Sequence, residues 1–315
     1  MRPVSSLADD LRKRGARIVA LQFPAGLKRR GYALAQELRA EGFDVILSGD
    51  PCYGACDLAL DTLEVADVLV HFGHAPVGHH DRVIFEPVSL DFDPATVREA
   101  LPLLRGPRIG LVTTVQHVHL LEAVADELRR AGFEPVIAAG SVRTPHPGQV
   151  LGCSFRAARE TGAREILYVG TGLFHPLGVQ LATGARVVAL DPYTGEAAAV
   201  SAERFLRQRF GLIERARGAE RIGILISAKN GQQRLDLARR LVTLSDRAIL
   251  VLIREVTPES LLDLGCDAYV NTACPRLAYD DQARFPVPVL TPAEYEILMG
   301  VRSWGDYVTD EWGDA

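Results

Sequence analysis

Three stretches of the chain open on the same run of apolar residues. Arg17-Ile18-Val19-Ala20-Leu21, Arg108-Ile109-Gly110-Leu111-Val112 and Arg221-Ile222-Gly223-Ile224-Leu225-Ile226 each begin on an arginine and then show no polar alternation. That is the pattern of a strand buried on both faces. A polar, turn-prone segment follows each run, and a helical pattern follows that, over residues 32–40, 120–131 and 234–244. The first two patterns end almost identically, in Leu38-Arg39-Ala40-Glu41-Gly42-Phe43 and Leu128-Arg129-Arg130-Ala131-Gly132-Phe133, and a glycine just past a basic last turn stops a helix. Second strands are expected at 45–47, 135–138 and 248–253, third strands at 68–71, 166–169 and 268–270, and fourth strands at 83–85, 187–190 and 287–290. Strand–helix–strand alternation at this spacing predicts parallel α/β units. Its threefold recurrence predicts three similar parallel-sheet α/β domains in a pseudo-threefold arrangement, rather than one doubly wound sheet. The expected boundaries are 1–104, 105–217 and 218–315, with linkers near 102–107 and 216–219, the second of which is charged and reads equally as a continuation of the preceding helix.

A chain of 315 residues exceeds the size at which one core stops growing, which agrees with several domains. The net charge of −5 argues against nucleic acid as the main partner. No stretch approaches the ~20 apolar residues of a membrane span, and residues 1–17 are charged and lack an apolar signal core. The expectation is a cytoplasmic protein with neither nucleic-acid nor membrane partners. In that reducing compartment the five cysteines read as metal ligands, catalytic groups or buried thiols rather than disulfides.

Ligand sites in parallel α/β units gather beyond the carboxyl ends of the strands. Cys52 and Cys56 lie just after the second strand of the first unit, Cys153 after that of the second, and Cys274 after the third strand of the third, whereas Cys266 lies at the opposite end of that strand. If the units face a common centre, the exit loops meet there. A lone cytosolic cysteine is usually a small buried hydrophobe, and on spacing alone the cysteines read equally as that or as a metal site. Structural zinc prefers paired ligands at short spacing, which only Cys52 and Cys56 offer. Three widely separated thiolates instead suit a cubane cluster with one iron left open.

At these residues the sequence resembles the archaeal diphthamide synthase family, the 2-(3-amino-3-carboxypropyl)histidine synthases. The resemblance rests on Tyr53-Gly54-Ala55-Cys56-Asp57, Thr113-Thr114-Val115-Gln116-His117-Val118-His119, Pro147-Gly148-Gln149-Val150-Leu151-Gly152-Cys153, Gly172-Leu173-Phe174-His175-Pro176-Leu177-Gly178, Asp191-Pro192-Tyr193 and Ala273-Cys274-Pro275-Arg276. These stretches run over nearly the whole chain and are specific together. The resemblance implies a homodimer holding a [4Fe–4S] cluster on Cys56, Cys153 and Cys274, with Cys52 and Cys266 accessory or structural and Cys52 the nearest competitor for the first ligand. It implies that S-adenosylmethionine binds the open iron through its methionine part. One electron then breaks the bond from sulfur to the γ carbon, giving methylthioadenosine. The 3-amino-3-carboxypropyl group adds to carbon 2 of a histidine in translation elongation factor 2. An electron donor is required and not identified.

Histidines cluster on the same exit loops: His71 and His74, His117 and His119, and His175, with His79 and His80 expected on the surface. Gln116, His117, His175 and Gln232 are the candidates for holding the amino acid end of the substrate. Asp191-Pro192-Tyr193 also reads as a turn. Lys229-Asn230-Gly231-Gln232 sits where a phosphate loop would, but lacks the G-x-x-x-x-G-K pattern. The rival readings are a cluster-dependent lyase of the quinolinate synthase kind, a scaffold with structural zinc or no metal, and a partner subunit whose cluster only passes electrons; all three cysteines being present favours a self-sufficient homodimer over the last. The acidic stretch from Trp304 to Ala315 reads as a loose tail or a dimer contact.

Overall fold

The computed structural model describes residues 2–313. Helix α1 (Val4–Lys13) leads into β1 (Ile18–Gln22), α2 (Lys28–Ala40), β2 (Asp44–Leu47), β3 (Val68–Phe72) and β4 (Val83–Glu86). The four strands form a parallel sheet in the order β2-β1-β3-β4. The second unit runs β5 (Arg108–Thr113), α3 (Leu121–Arg130), β6 (Glu134–Val136), α4 (Arg156–Glu160), β7 (Glu165–Val169), α5 (Phe174–Thr183), β8 (Arg186–Leu190) and β9 (Ala197–Ala199). Its order is β6-β5-β7-β8-β9, with only β9 antiparallel. The third unit runs α6 (Glu203–Ala216), β10 (Ile222–Ser227), α7 (Leu235–Val242), β11 (Ala248–Ile253), α8 (Pro258–Leu264), β12 (Ala268–Asn271), α9 (Pro275–Tyr279), β13 (Val289–Leu290) and α10 (Pro292–Leu298). Its strands lie in the order β11-β10-β12-β13, all parallel. The expectation of three similar parallel α/β sheets holds. No helix among the described residues is long and apolar enough to cross a membrane.

Successive residues of the central strands point to opposite faces, so each sheet buries two cores. Val19, Leu21, Val68 and Val70 serve one core of the first sheet, and Ala20, Leu69 and Val83 the other. Leu111 and Leu167 are separated in the same way from Val112 and Ile166, and Ile224 and Val270 from Leu225 and Tyr269. This two-sided burial explains why the runs lack polar alternation.

The packing moves the expected boundaries. Leu7, Ala8 and Leu11 of α1 enter the core of the first sheet. In the same way Val97, Ala100 and Leu104, in or beside the 3-10 turns of Pro94–Leu103, pack with Ile109 and Val124 under the second sheet. Ile213 and Ala216 of α6 pack with Ile222 and Ile224 under the third. Each repeat therefore begins with a helical segment ahead of its first strand. Divisions after residues 104 and 217 leave two of these segments with the preceding sheet, because the strand runs are the stronger pattern in the sequence. The fourth strand of the third unit is also shorter than expected: it begins at Val289, just past Pro288, a residue with no N–H to donate.

Candidate metal centre

All the parallel strands of a sheet exit on one edge, and the three exit edges meet. The loop after β10 is pressed onto the loop after β2: a Cβ on Gly231 would lie 2.4 Å from the Cα of Cys56. Beside it, Gln232 Nε2 donates to Cys56 Sγ at 3.3 Å. Lys229 reaches across to Asp57, Nζ to Oδ2 at 2.8 Å, also pairs with Glu255 at 2.7 Å, and lies over the ring of Tyr53. The loop that resembled a phosphate site thus holds a carboxylate of the first unit.

In the second unit, residues 148–150 run alongside the end of β5: Thr113 N donates to Gly148 O, and Val150 N to Thr113 O. That pairing carries the chain to Cys153, where Gly152 makes room for Phe174, whose ring would lie 2.0 Å from an added Cβ. In the third unit, Cys274 caps α9 with Pro275 in the first turn. Asn271 holds the loop from both sides, its Nδ2 donating to Cys274 O at 2.8 Å and its Oδ1 accepting from Ala273 N at 3.0 Å.

All three thiols are half-buried. Burial, and after it the nearby thiols of Cys56 and Cys153, push the Cys274 thiol up to about 12. Burial pushes Cys153 up to about 11 against the opposing charge of Arg143, whose guanidinium lies 3.8 Å from its sulfur. Burial raises Cys56 as well, partly offset by the hydrogen bond from Gln232. Thiols that resist ionisation become thiolates when a cation compensates the charge. Three such sulfurs, one from each sheet, on glycine- and proline-bent loops with N–H donors beside them, fit an iron–sulfur cluster.

The other candidates fall at different places. Gln116 reaches across to the first unit, Nε2 to Gly73 O at 3.5 Å. His117 turns its ring to Leu90 O, Phe92 and Tyr193. His175 stacks on Tyr168, and burial followed by the charge of Arg276, two residues past Cys274, pushes it down to about 4. Only Gln232 of the four touches a candidate thiol in the hydrogen bonds described. Cys52 lies with His71 and His74. Cys266 joins Tyr269 and Leu261 in an apolar cluster. Asp191 forms the expected turn, accepting from Tyr193 N and Thr194 N, and His79 pairs with Asp81 on the surface.

The acidic C-terminal stretch is not loose over its described part, which ends at residue 313; Asp314 and Ala315 lie outside the described residues. Asp310 pairs with Arg234 at 2.6 Å in a buried position, and Glu311 with Arg159 at 2.7 Å. Trp312 N donates to Cys153 O at 2.8 Å, while its ring lies between Arg143 and Arg234 at 5.0 and 4.9 Å. The segment ties the second unit to the third beside Cys153. Arg143, Arg234 and Trp312 escaped the sequence reading, since single arginines and a lone tryptophan form no spacing. The one available signal was a tryptophan among acids at the end of the sequence.

The family described as diphthamide synthesis proteins matches residues 23–308. A 2-(3-amino-3-carboxypropyl)histidine synthase of Pyrococcus horikoshii is 38% identical over 98% of this chain and 93% of its own length. Subunit 1 of the synthase so named in Homo sapiens is 32% identical, over 92% of this chain and 69% of its own. The crystal structure of Dph2 from Pyrococcus horikoshii with a 4Fe-4S cluster matches with a TM-score of 0.92 at 36% identity, covering 99% of this chain and 94% of that one.

Proposed function

The chain belongs to the diphthamide synthesis protein family, and from that premise we propose that it transfers the 3-amino-3-carboxypropyl group of S-adenosylmethionine to carbon 2 of a histidine in translation elongation factor 2, the first step of diphthamide biosynthesis. The observation that supports the reading is one half-buried thiol from each sheet on strand-exit loops, with Gly231 pressed on the Cys56 backbone, Gln232 donating to Cys56 Sγ and Trp312 N donating to Cys153 O. Cys56, Cys153 and Cys274 would hold the [4Fe–4S] cluster. When bound, the cluster supplies the single electron that breaks the bond from the sulfonium to the γ carbon.

The chain's own residues set the geometry. Gln232 and Arg143 point N–H groups at the sulfurs of Cys56 and Cys153. Asn271 and the tight contact of Gly231 hold the loops of Cys274 and Cys56 in place. The Asp310–Trp312 segment lies against the loop of Cys153 and fixes Arg143 and Arg234 beside it. Which bond of the sulfonium breaks depends on which carbon these residues place in line, a positioning effect. Among the candidates for the substrate's amino acid end, Gln232 and the neutral His175 are favoured. Gln116 spans the first and second units, and His117 has committed its ring to Leu90.

The homodimer draws support from β11, an edge strand that exposes Ile249, Leu250 and Leu252, an apolar row that calls for cover. A cytoplasmic setting suits five free thiols, and dithionite replaces the natural electron donor in a test. Anaerobically reconstituted protein, given dithionite, S-adenosylmethionine and elongation factor 2, is expected to yield methylthioadenosine and a modified histidine. Formation of 5′-deoxyadenosine instead would overturn the reading.

A further inference from the structure

A second group of soft donors lies four residues ahead of Cys56, built by the first unit alone. Cys52 Sγ and a ring nitrogen each of His71 and His74 all lie within 4.8 Å of one another. The orientation of His71 is fixed by Gln22 on β1. Gln22 Nε2 donates to Asp57 O at 2.7 Å, and its Oε1 accepts from Ala59 N at 3.2 Å. The amide oxygen therefore faces His71 Nδ1, 2.8 Å away, so Nδ1 carries the proton. His71 must then present the lone pair of Nε2, toward His74 Nδ1 at 3.0 Å. An outer hydrogen bond from one ring nitrogen to a fixed oxygen is the arrangement that orients metal-binding histidines.

The rest of the chemistry agrees. Burial holds both rings in the neutral, ligating form. The Cys52 sulfur is buried, and its described polar contact is Gly54 O at a long 4.0 Å. Zinc bonds of ~2.0–2.1 Å to nitrogen and ~2.3 Å to sulfur place tetrahedral ligands about 3.4 Å apart between nitrogens and about 3.6 Å apart between nitrogen and sulfur. The observed nitrogens, 3.0 Å apart, need to part by only a few tenths of an ångström, and the sulfur, within 4.8 Å of them, to approach by at most about 1.2 Å.

We propose that Cys52, His71 and His74 bind one borderline-soft divalent cation, of the zinc class, distinct from the Cys56/Cys153/Cys274 centre. Two imidazoles and a thiolate leave the fourth position of a tetrahedron open. The ion would tie the loop leading to Cys56 onto the exit of β3.

The test is elemental analysis of the cluster-loaded protein, incubated anaerobically with zinc and desalted. The expected result is about one zinc per chain beside the irons of the cluster, with Cys52→Ser and His74→Gln losing the zinc and keeping the iron. Zinc no higher than in these variants overturns the proposal. So does zinc gained at the expense of iron, which would mark occupation of the cluster thiols, and so does loss of iron together with zinc in both variants, which would place Cys52 in the cluster centre. A Cys153→Ala/Cys274→Ala protein, which cannot hold the cluster, is expected to bind the zinc still; this separates failure of the site from failure of the proposed function.

Discussion

Gly231 shows how little room single residues leave around Cys56. A methyl group there would overlap the Cys56 backbone at 2.4 Å, and backbone cannot yield as a flexible side chain does. Gly231→Ala is expected to cost about 1–3 kcal/mol by overpacking and to displace Cys56; thermal unfolding and iron content check both. Its neighbour acts differently. Gln232→Leu removes the N–H donated to the Cys56 sulfur. A hydrogen bond worth about 1 kcal/mol equals some tens of millivolts for one electron, so the cluster's reduction potential should fall by that order, read by an EPR-monitored titration. His175 carries a pH effect. Its folded value, pushed down to about 4 by burial and then Arg276, lies below that of the unfolded chain, so the unfolded state takes up the proton first as pH falls. Stability is fully present above about pH 6.5 and is lost progressively down to pH 4; melting curves of His175→Gln should show a shallower acid slope across that window. The cysteines were legible because thiols at strand exits share a placement. Gln232 could be singled out for its loop, but not assigned a role, because its partner lies 176 positions away.

Among the elements, the strands and the three repeated helices were readable because burial on both faces and a 3.6-residue period leave strong patterns. The helix ahead of the first strand of the first unit was not, since its apolar positions are few: in α1 only Leu7, Ala8 and Leu11 are buried. The short β9 is three alanines on an edge, a composition with no strand signature. Helix α10 begins with Thr291-Pro292-Ala293-Glu294, a pattern that specifies a capping box, and the box forms. Glu294 does more than cap, because its carboxylate pairs with the buried Arg209 of α6, Oε1 to Nε at 2.7 Å, and Arg209 also donates to Ala278 O and Val289 O. Removing one partner of such a pair strands a buried charge, so Glu294→Ala is expected to cost about 3–5 kcal/mol, measurable by denaturant unfolding. On β11, Leu252 is 67% exposed; if this edge is the dimer contact, Leu252→Lys gives a monomer by light scattering, while an unchanged mass removes β11 from the interface.

For the molecule as a whole, three sheets of one order turn their strand exits inward, and the cover over the centre comes from the end of the described chain. Deleting residues 310–315 removes the Asp310–Arg234 and Glu311–Arg159 pairs and the indole between two guanidiniums. Such a protein should still fold, since each core is complete without the segment, but a chelator should strip its iron severalfold faster. The threefold repeat and the convergence it permits were visible as a recurring text. The closing segment was not, because its partners are scattered over two units.

The wide spacing of Cys56, Cys153 and Cys274 along the chain also sets a timetable. During translation at ~5–20 residues per second, Cys56 leaves the ribosome on the order of ten to forty seconds before Cys274. If these three thiols hold the cluster, its ligand set stays incomplete through that interval, however early the first unit folds. Loading of that centre then waits for the third unit, and a nascent chain stalled short of residue 274 would hold two of the three sulfurs.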